Sequence, residues 1–466
     1  MKVNTQTALP YKVVKQNADT LTPIAIFSNL EGRKKFLLES SMSHDQKGKY
    51  SFMGANPYQE IIGTKGESTI LNNIRGTVNI EKKPALSALQ TYFPKMDIEL
   101  PFPFIGGGIG FVGYDAIRSY ENLGCELPDD LNMPDVHLMF YKDIIVFDHR
   151  NESVYLIAMN LERQDENILD QRINKMKKAL TAIQDESITK EENMVFEPEM
   201  EKQRFIDNVK KAKKYIQDNE VLQVVLSQRM KAKTNGDPFT FYRKLRRANP
   251  SPYMFYIDFH DYIVLGASPE SLVQTSGSTI ITNPIAGTRP RGKTTLEDEA
   301  NTKDLLSDKK ERSEHDMLVD LSKYDLSRIC EKSTISTPTY TAIEKYQHVM
   351  HMVSEVRGVL KHNLTSIDAL IACLPAGTVS GAPKLKAMQI INGLEDKKRG
   401  VYGGGIGYIG FNYDLNMTLT IRSLIIKEKN AYLQVGAGIV ADSKPEAEYQ
   451  ETLHKSRSLI EASHYI

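Results

Sequence analysis

Four glutamates stand in two pairs, and each pair has the spacing of neighbours on one helix face. The pairs are Glu311 with Glu314 and Glu448 with Glu451. Residues three apart on a helix point the same way, so each pair presents two carboxylates in one direction. If the two helices face each other, an oxygen-preferring cation such as Mg²⁺ relieves the repulsion. The same spacing is typical of a solvated acidic helix face, where glutamate is usually found.

Three further side chains suit a site that handles a carboxylated substrate. Glu270 follows a strand-like run in GASPESL and is a candidate acid at a strand end. His351 lies in HVMHMVSEV, on a segment predicted to be helical, and is a candidate general acid or base. Arg422 ends the apolar run MTLTI, and a guanidinium binds a carboxylate through two hydrogen bonds. His351 could equally be a packed histidine, and Arg422 a surface ion pair.

Glycines cluster at 287–292, 403–410 and 435–438. Small residues let backbone N–H groups approach an anion closely, but glycines also serve tight turns and bulges between strands. The GGGIG stretch is followed by strand-like sequence rather than by a helix, so it is not a specific dinucleotide-binding fingerprint.

The elements that must position these residues predict an α+β fold. From about 20 to 160, apolar runs separated by turn residues predict a mostly antiparallel sheet. Helices are expected at 297–330, 340–360 and 383–394, and a last helix should begin near Pro445. The predicted division is an N-terminal lobe (1–184), a polar, aperiodic linker (185–200) and a C-terminal lobe (201–466).

The amino-acid composition argues against some classes of binding partner. Of the 466 residues 41% are hydrophobic, and 59 basic residues balance 59 acidic ones, so no bulk charge recruits nucleic acid or an anionic membrane. No apolar run has the length of a signal peptide or a membrane span. Cys125, Cys330 and Cys373 are scattered, which favours reduced thiols. We therefore expect a cytoplasmic protein.

Taken together, the motifs from about residue 36 to the C-terminus resemble the anthranilate synthase large subunits of the chorismate-utilising enzyme family. The matching stretches occur in the family's order and include LLESS, NPSPYMF, GASPES, NPIAGTRPRG, KERSEHDMLVDL, YQHVMHMVSEV, LPAGTVSGAPKLKAM, TIRSL and VGAGIVADSKPEAEYQET. The resemblance implies two intertwined lobes with large, mostly antiparallel sheets flanked by helices. It also implies conversion of chorismate and ammonia to anthranilate and pyruvate in tryptophan biosynthesis.

The resemblance implies roles for individual residues. Glu270 would protonate the departing ring hydroxyl, and His351 would act in the later elimination of pyruvate. The implied Mg²⁺ ligands are Glu314 and Glu451 directly, with Glu311 and Glu448 through water. The chorismate-binding positions it implies are Gly287, Thr288, Tyr402, Arg422, Gly436, Ala437 and Gly438.

Two positions separate members of the family. Isochorismate- and salicylate-forming members carry a water-activating lysine where Gln223 stands here. Many aminodeoxychorismate synthases carry a ring-attacking lysine where Ala286 stands. Both differences favour ammonia as the nucleophile. Because some aminodeoxychorismate synthases also lack the lysine, that activity remains the alternative, beside a catalytically inactive chorismate- or tryptophan-binding regulator.

The resemblance also implies a protein partner and an inhibitor. The sequence contains no glutaminase cysteine elbow, so ammonia from glutamine would come from a separate amidotransferase subunit, in an expected heterotetramer. The motifs LLESS and NPSPYM resemble the family's L-tryptophan feedback site. They imply a tryptophan site shared by the two lobes. Its N-terminal residues would be Leu38, Glu39 and Ser40, and its C-terminal residues would be Pro252, Tyr253 and Met254. Lys323, Tyr324 and Asn416 depart from the family pattern.

Overall fold

A computed structural model describes residues 10–40, 48–96, 98, 100–181, 194–346 and 348–463. The strands are β1 (Tyr11–Asn17), β2 (Phe36–Glu39), β3 (Tyr50–Gly54), β4 (Gln59–Thr64), β5 (Glu67–Asn72), β6 (Thr77–Glu81), β7 (Gly107–Val112), β8 (Val136–Tyr141), β9 (Asp143–Asp148), β10 (Ser153–Met159), β11 (Glu197–Pro198), β12 (Gln223–Lys233), β13 (Tyr253–Asp258), β14 (Tyr262–Ser268), β15 (Ser271–Ser276), β16 (Thr279–Thr282), β17 (Ile285–Pro290), β18 (Ser336–Lys345), β19 (Val349–Val359), β20 (Gly381–Ala382), β21 (Gly405–Gly410), β22 (Leu415–Leu419), β23 (Ser423–Lys427) and β24 (Asn430–Ile439).

The helices are α1 (Pro23–Asn29), α2 (Ala85–Tyr92), α3 (Glu166–Thr181), α4 (Lys202–Gln217), α5 (Pro238–Ala248), α6 (Thr295–Ser307), α7 (Lys309–Ile329), α8 (Ser366–Cys373), α9 (Gly377–Ser380), α10 (Lys384–Leu394) and α11 (Pro445–Ser463). Short 3₁₀ helices lie at Tyr114–Ser119 and Lys332–Thr334. In the described ranges no helix is both long enough and apolar enough to cross a membrane.

The strands form two large antiparallel sheets, which confirms the predicted α+β fold. The first sheet has the order β1-β10-β9-β3-β2-β13-β14-β23-β24-β12-β11, with β20 on β12. The second has the order β17-β19-β16-β15-β22-β21-β7-β8-β4-β5-β6, with β18 on β19. Each sheet takes strands from both sides of the predicted linker. The division at 184 and 200 stays a prediction, and residues 182–193 lie outside the described residues.

Two apolar cores hold the sheets and helices together. Adjacent residues of β2 serve different cores, because successive side chains of a strand point to opposite faces. Phe36 joins the main core, where Phe255 of the first sheet packs in one cluster with Phe111 of the second. Leu37 joins the core between the first sheet and its helices.

A buried polar cluster also links the sheets. His137 on β8 contacts Tyr262 Oη on β14 through Nδ1 at 2.6 Å, and Glu60 on β4 through Nε2 at 3.0 Å. Burial raises the pKa of Glu60, but hydrogen bonds from His137 and Lys34 more than offset this and bring the pKa to about 2. An ionised Glu60 therefore joins side chains of both sheets.

Two of the predicted helices differ in the structure. The segment 340–360 is not a helix but the strands β18 and β19. Residues 350–354 are all buried. Continuous burial lacks the periodicity of an amphipathic helix and is typical of a strand that is covered on both faces. The predicted helix 297–330 is two helices, because Asp308 caps α7 by accepting from the backbone N–H groups of Lys310 and Glu311. The helices at 383–394 and after Pro445 are confirmed as α10 and α11.

Candidate active site

The first glutamate pair lies at the start of α7, against Gly287. Gly287 has φ +69°, and a Cβ there would lie 3.2 Å from Glu311 Oε2. Burial raises the pKa of Glu311, and the charge of Glu314 raises it further. Arg289 offsets part of this, with Nη1 at 3.6 Å from Glu311 Oε1. The pair therefore places under-compensated negative charge beside one of the predicted chorismate-binding glycines.

The second pair lies in the first turns of α11. Burial raises the pKa of Glu448, and the charge of Glu451 adds to the rise. Glu451 Oε1 pairs with Lys455 Nζ at 2.7 Å, one turn later. Lys310 acts electrostatically on both Glu311 and Glu448. The two pairs therefore approach the same region from different helices.

The donor chemistry of these pairs fits Mg²⁺. Carboxylate oxygens are the ligands that this cation prefers. Burial is the main cause of the raised pKa values of Glu311 and Glu448, and the charge of the neighbouring glutamate adds to it, so a bound cation would stabilise both carboxylates. Across the described ranges, no three His, Cys, Asp or Glu side chains are gathered closely enough to hold a metal ion. Glu314 Oε1 instead accepts from Gln223 Nε2 at 3.4 Å, and Glu451 pairs with Lys455. The four-glutamate metal site stays a prediction.

Glu270 lies between β14 and β15 and is 9% exposed. Burial raises the pKa of this carboxyl to about 7. Thr378 Oγ1 on α9 donates to Glu270 Oε1 at 2.7 Å and partly opposes that rise. Glu270 therefore holds a proton up to near-neutral pH, as a general acid must. Sequence reasoning did not single out Thr378, although it lies in the matched stretch LPAGTVSGAPK.

His351 lies on β19 and faces the turn of β17. Its Nδ1 lies 2.9 Å from the Gly287 carbonyl oxygen and 3.1 Å from Thr288 Oγ1. A carbonyl only accepts, so Nδ1 carries the hydrogen and a neutral ring has its lone pair on Nε2. Burial lowers the pKa of His351, and the nearby charge of Arg422 lowers it further. The structure thus brings a neutral histidine to Gly287 and Thr288.

Arg422 follows β22 with a left-handed backbone, φ +49°. Its guanidinium forms no hydrogen bond or ion pair with another side chain of the described ranges, and burial lowers its pKa. Glu270 and Tyr346 are the groups that raise the pKa again through their charge. A partly buried cation without a fixed counter-ion is costly, so this position suits a bound anion.

The paired strands β12 and β24 carry a further group of the predicted residues, and we call the region that these residues share with Glu270, His351 and Arg422 the cleft. A Cβ on Gly438 would lie 2.7 Å from Gln223 Nε2, and a Cβ on Gly436 would lie 2.6 Å from Tyr402 Oη. Both glycines therefore leave room for a polar side chain. Gln223 Oε1 is buried and has no partner among the described residues. Ala437 packs into the opposite, helix-covered core, so it offers the cleft only its backbone.

Ala286 and Lys455 lie near the same group of residues. Ala286 lies on β17 opposite Met352 and is 8% exposed. Lys455 Nζ donates to the Gly436 carbonyl oxygen at 3.0 Å. Lys455 also influences Glu270 and Glu448 electrostatically. Sequence reasoning missed Lys455, although its spacing of four residues from Glu451 on a helix was a usable signal.

A cavity of about 370 Å³ lies between the two sheets, and we call it the effector cavity because it contains the residues predicted to form the tryptophan site. It forms because β2 and β13 pair across the predicted linker, with Glu39 opposite Met254. Glu39 Oε2 accepts from Tyr242 Oη at 2.8 Å and from Arg246 Nε at 2.9 Å. Glu39 Oε1 is buried and has no partner in the described part of the chain. The structure brings all six predicted residues to this cavity, namely Leu38, Glu39, Ser40, Pro252, Tyr253 and Met254.

The departures from the family pattern lie in two places. Tyr324 is 61% exposed on α7, and Lys323 beside it lies 3.7 Å from Asp320. Asn416 on β22 instead lines the effector cavity, together with Thr418. The departure at Asn416 therefore falls on the effector cavity and not on the cleft.

Comparisons with known proteins agree with this geometry. The family model described as chorismate binding enzyme matches residues 34–461. Anthranilate synthase component 1 of Lactococcus lactis is 41% identical over 454 residues, which cover 96% of this chain and 99% of that protein. Anthranilate synthase component 1 of Acetivibrio thermocellus is 41% identical over 461 residues, covering 96% and 93%.

Solved structures extend the comparison. Anthranilate synthase component I from Streptococcus pneumoniae has a TM-score of 0.83 at 39% identity and covers 95% of this chain and 98% of its own. The menaquinone-specific isochorismate synthase MenF from Escherichia coli has a TM-score of 0.71 at 18% identity, covering 97% and 95%, and shares the fold. The chain therefore belongs to the chorismate binding enzyme family.

Proposed function

We propose that this protein is the large subunit of an anthranilate synthase, a lyase that converts chorismate and ammonia to anthranilate and pyruvate. The observation that carries the proposal is that Glu270 and His351 both lie within the electrostatic influence of one buried cation, Arg422. Their chemistry is complementary, since the set contains a proton donor, a neutral imidazole and a cation without a partner among the described side chains. The names of the relatives that match nearly the whole chain support the same activity.

Binding would depend on the cation and the backbone of the cleft. Arg422 would hold a substrate carboxylate through two hydrogen bonds, which gives its guanidinium the partner it lacks. The glycines at 436 and 438 would let the ring approach β24 closely, beside Gln223 and Tyr402. Gln223 carries no charge, so it does not activate water, and ammonia is already a nucleophile.

Acid catalysis would begin at Glu270. Its carboxyl would give a proton to the departing ring hydroxyl, which leaves as water while ammonia adds to the ring position next to the ring carboxylate. His351 holds a hydrogen on Nδ1, so the lone pair on Nε2 would assist the later loss of pyruvate that makes the ring aromatic. The two groups thus serve successive steps.

Mg²⁺ would be held by Glu314 and Glu451 directly and by Glu311 and Glu448 through water. When bound, it would supply positive charge that holds the ring carboxylate of the substrate. The pairing of Glu451 with Lys455 gives that glutamate an alternative partner in the same turn of α11.

Two further molecules belong to the proposal. A separate glutamine amidotransferase subunit would deliver ammonia in the cytoplasm, and the designation component 1 among the relatives supports a second component. L-tryptophan would inhibit by binding in the effector cavity. There Glu39 Oε1 offers an unpaired acceptor to an ammonium group, and Pro252 and Met254 offer apolar contacts.

Product identity tests this proposal against aminodeoxychorismate synthase. We expect the purified chain, given chorismate, an ammonium salt at alkaline pH and Mg²⁺, to form fluorescent anthranilate and an equal amount of pyruvate. The alternative enzyme forms an aminated ring that keeps its enolpyruvyl group and releases no pyruvate. Mass spectrometry separates the two products. Accumulation of the enolpyruvyl-bearing amine would overturn the proposal.

A further inference from the structure

The strand β22 touches both functional regions of the molecule. Asn416 and Thr418 on this strand line the effector cavity. Thr418 Oγ1 also donates to the Glu270 carbonyl oxygen at 2.5 Å, and the backbone N–H of Leu419 donates to the same oxygen at 2.9 Å. A side chain on the wall of the cavity therefore holds the main chain of the candidate general acid.

The regular strand pairing is interrupted next to Glu270, so few backbone hydrogen bonds fix the main chain there. The register of β15 against β22 shifts between Ser271 and Val273, next to Glu270. Ser268 Oγ donates to the Leu419 carbonyl oxygen at 2.7 Å on the other side of Glu270. Side-chain hydroxyls thus supplement the backbone hydrogen bonds of the sheet at this point.

The carboxyl of Glu270 has few other restraints. Its one hydrogen bond to a described side chain comes from Thr378 Oγ1, at 2.7 Å. The side chain of Thr418 is 4% exposed, so water does not compete for its hydroxyl. Thr418 thus holds the main chain of Glu270 while Thr378 holds its carboxyl.

We propose that Thr418 is a positioning residue that couples the effector cavity to Glu270. Its hydroxyl fixes the main chain of Glu270 when the cavity is empty. An amino acid bound against β22 displaces Thr418 and so changes the position of Glu270. This inference rests on the proposed function, in which tryptophan binds the cavity and Glu270 is the acid. A ligand controls a distant group only through different affinities for two arrangements, and Thr418 is a contact that differs between them.

The test separates binding of tryptophan from inhibition by it. The chain contains no tryptophan residue, so the indole fluorescence of added L-tryptophan reports its binding without an indole background from the protein. Thr418→Val keeps the shape of the side chain and removes the hydroxyl. We expect tryptophan to bind within about threefold of the parent affinity, because the lost hydrogen bond does not involve the ligand. We expect kcat without effector to fall about tenfold at an unchanged KM for chorismate.

The decisive readout is the activity left when the cavity is saturated. In Thr418→Val, saturating tryptophan should leave a fraction of the variant's own rate that is about tenfold larger than in the parent. Thr418→Ser keeps a hydroxyl and should restore full inhibition. Thr275→Val is the matched control, because Thr275 Oγ1 accepts from the Leu415 N–H at the other end of β22 and does not contact Glu270.

Each outcome decides the inference. Full inhibition of Thr418→Val at equal tryptophan occupancy overturns it, as does equal uncoupling in Thr418→Ser or Thr275→Val. If Thr418→Val does not fold, Thr418→Ala also lacks the hydroxyl and carries the same expectation. Absence of tryptophan binding by the parent overturns the effector assignment as well, whereas the other outcomes leave that assignment intact.

Discussion

The cleft and the effector cavity are built from different parts of the chain. Every predicted group of the cleft follows the linker, from Gln223 to Glu451. The effector cavity needs β2 from before the linker and β13 from after it, joined as neighbours in one sheet. Among the described side chains, Arg422 has no hydrogen-bonded or ion-paired partner. In the cavity, Glu39 Oε2 accepts hydrogen bonds from both Tyr242 and Arg246. If the proposed roles are right, residues far from β22 should allow catalysis and inhibition to be altered separately, whereas Thr418 should affect both.

The largest expected effect is loss of the glutamate pairs. Glu314→Gln or Glu451→Gln should abolish turnover, because each change removes both a charge and a hard oxygen ligand. EDTA should do the same to the parent, reversibly on adding Mg²⁺. Tryptophan binding, followed by ligand fluorescence, should persist in both variants.

Glu446→Gln is the matched control, since Glu446 lies exposed in the first turn of the same helix. It should keep parental activity. Near-normal turnover of Glu314→Gln and Glu451→Gln at saturating chorismate and limiting Mg²⁺ would mean that the pairs are a solvated acidic face.

The next effect concerns Glu270. Glu270→Gln keeps the shape of the side chain but cannot supply the proton, so kcat should fall by about 10²–10⁴-fold while chorismate still binds. Steady-state kinetics at saturating ammonia measure this change. A loss confined to KM would make Glu270 a binding residue.

The pH dependence sharpens the same prediction. Burial raises the pKa of Glu270 to about 7, and the proposed acid role requires the protonated form. Activity expressed per free NH₃ should therefore be full below that pKa and fall as pH rises through it, by about tenfold per unit. Glu270→Gln should lack this limb, and a parent without it would contradict the role.

The smallest effect on catalysis should come from the effector cavity. Ser40→Phe adds bulk to this cavity and touches none of the groups of the cleft. We expect kcat and the KM for chorismate near parental values, with tryptophan inhibition largely lost. Inhibition curves with and without the change measure this. Unchanged inhibition in a folded variant would refute the site, and a parallel loss of activity would show that Ser40 is structural.

The sequence correctly predicted features that depend on residues close together in the chain. The pairs Glu311 with Glu314 and Glu448 with Glu451 do lie on helices, because a three-residue spacing is a local property. The sequence pattern predicted a helix around His351, but this residue lies on a strand. A short run of apolar residues does not distinguish a buried helix from a buried strand.

Contacts between segments far apart in the chain could not be predicted from the spacing of residues. Thr378 lies 108 residues from the carboxyl it contacts. Local pattern also did not indicate the left-handed backbone at Arg422 or the pairing of β2 with β13. The resemblance to a family supplied the meeting of LLESS with NPSPYM, which the paired strands then reproduced.

We propose that this chain carries the residues for amination of chorismate and takes its ammonia from a separate subunit. The most direct measurement compares two nitrogen sources for the isolated chain, with chorismate and Mg²⁺ present. Ammonium salts at raised pH should give anthranilate, and glutamine should give none until an amidotransferase subunit is added. Anthranilate formed from glutamine by the isolated chain would contradict the account, as would failure to use ammonia.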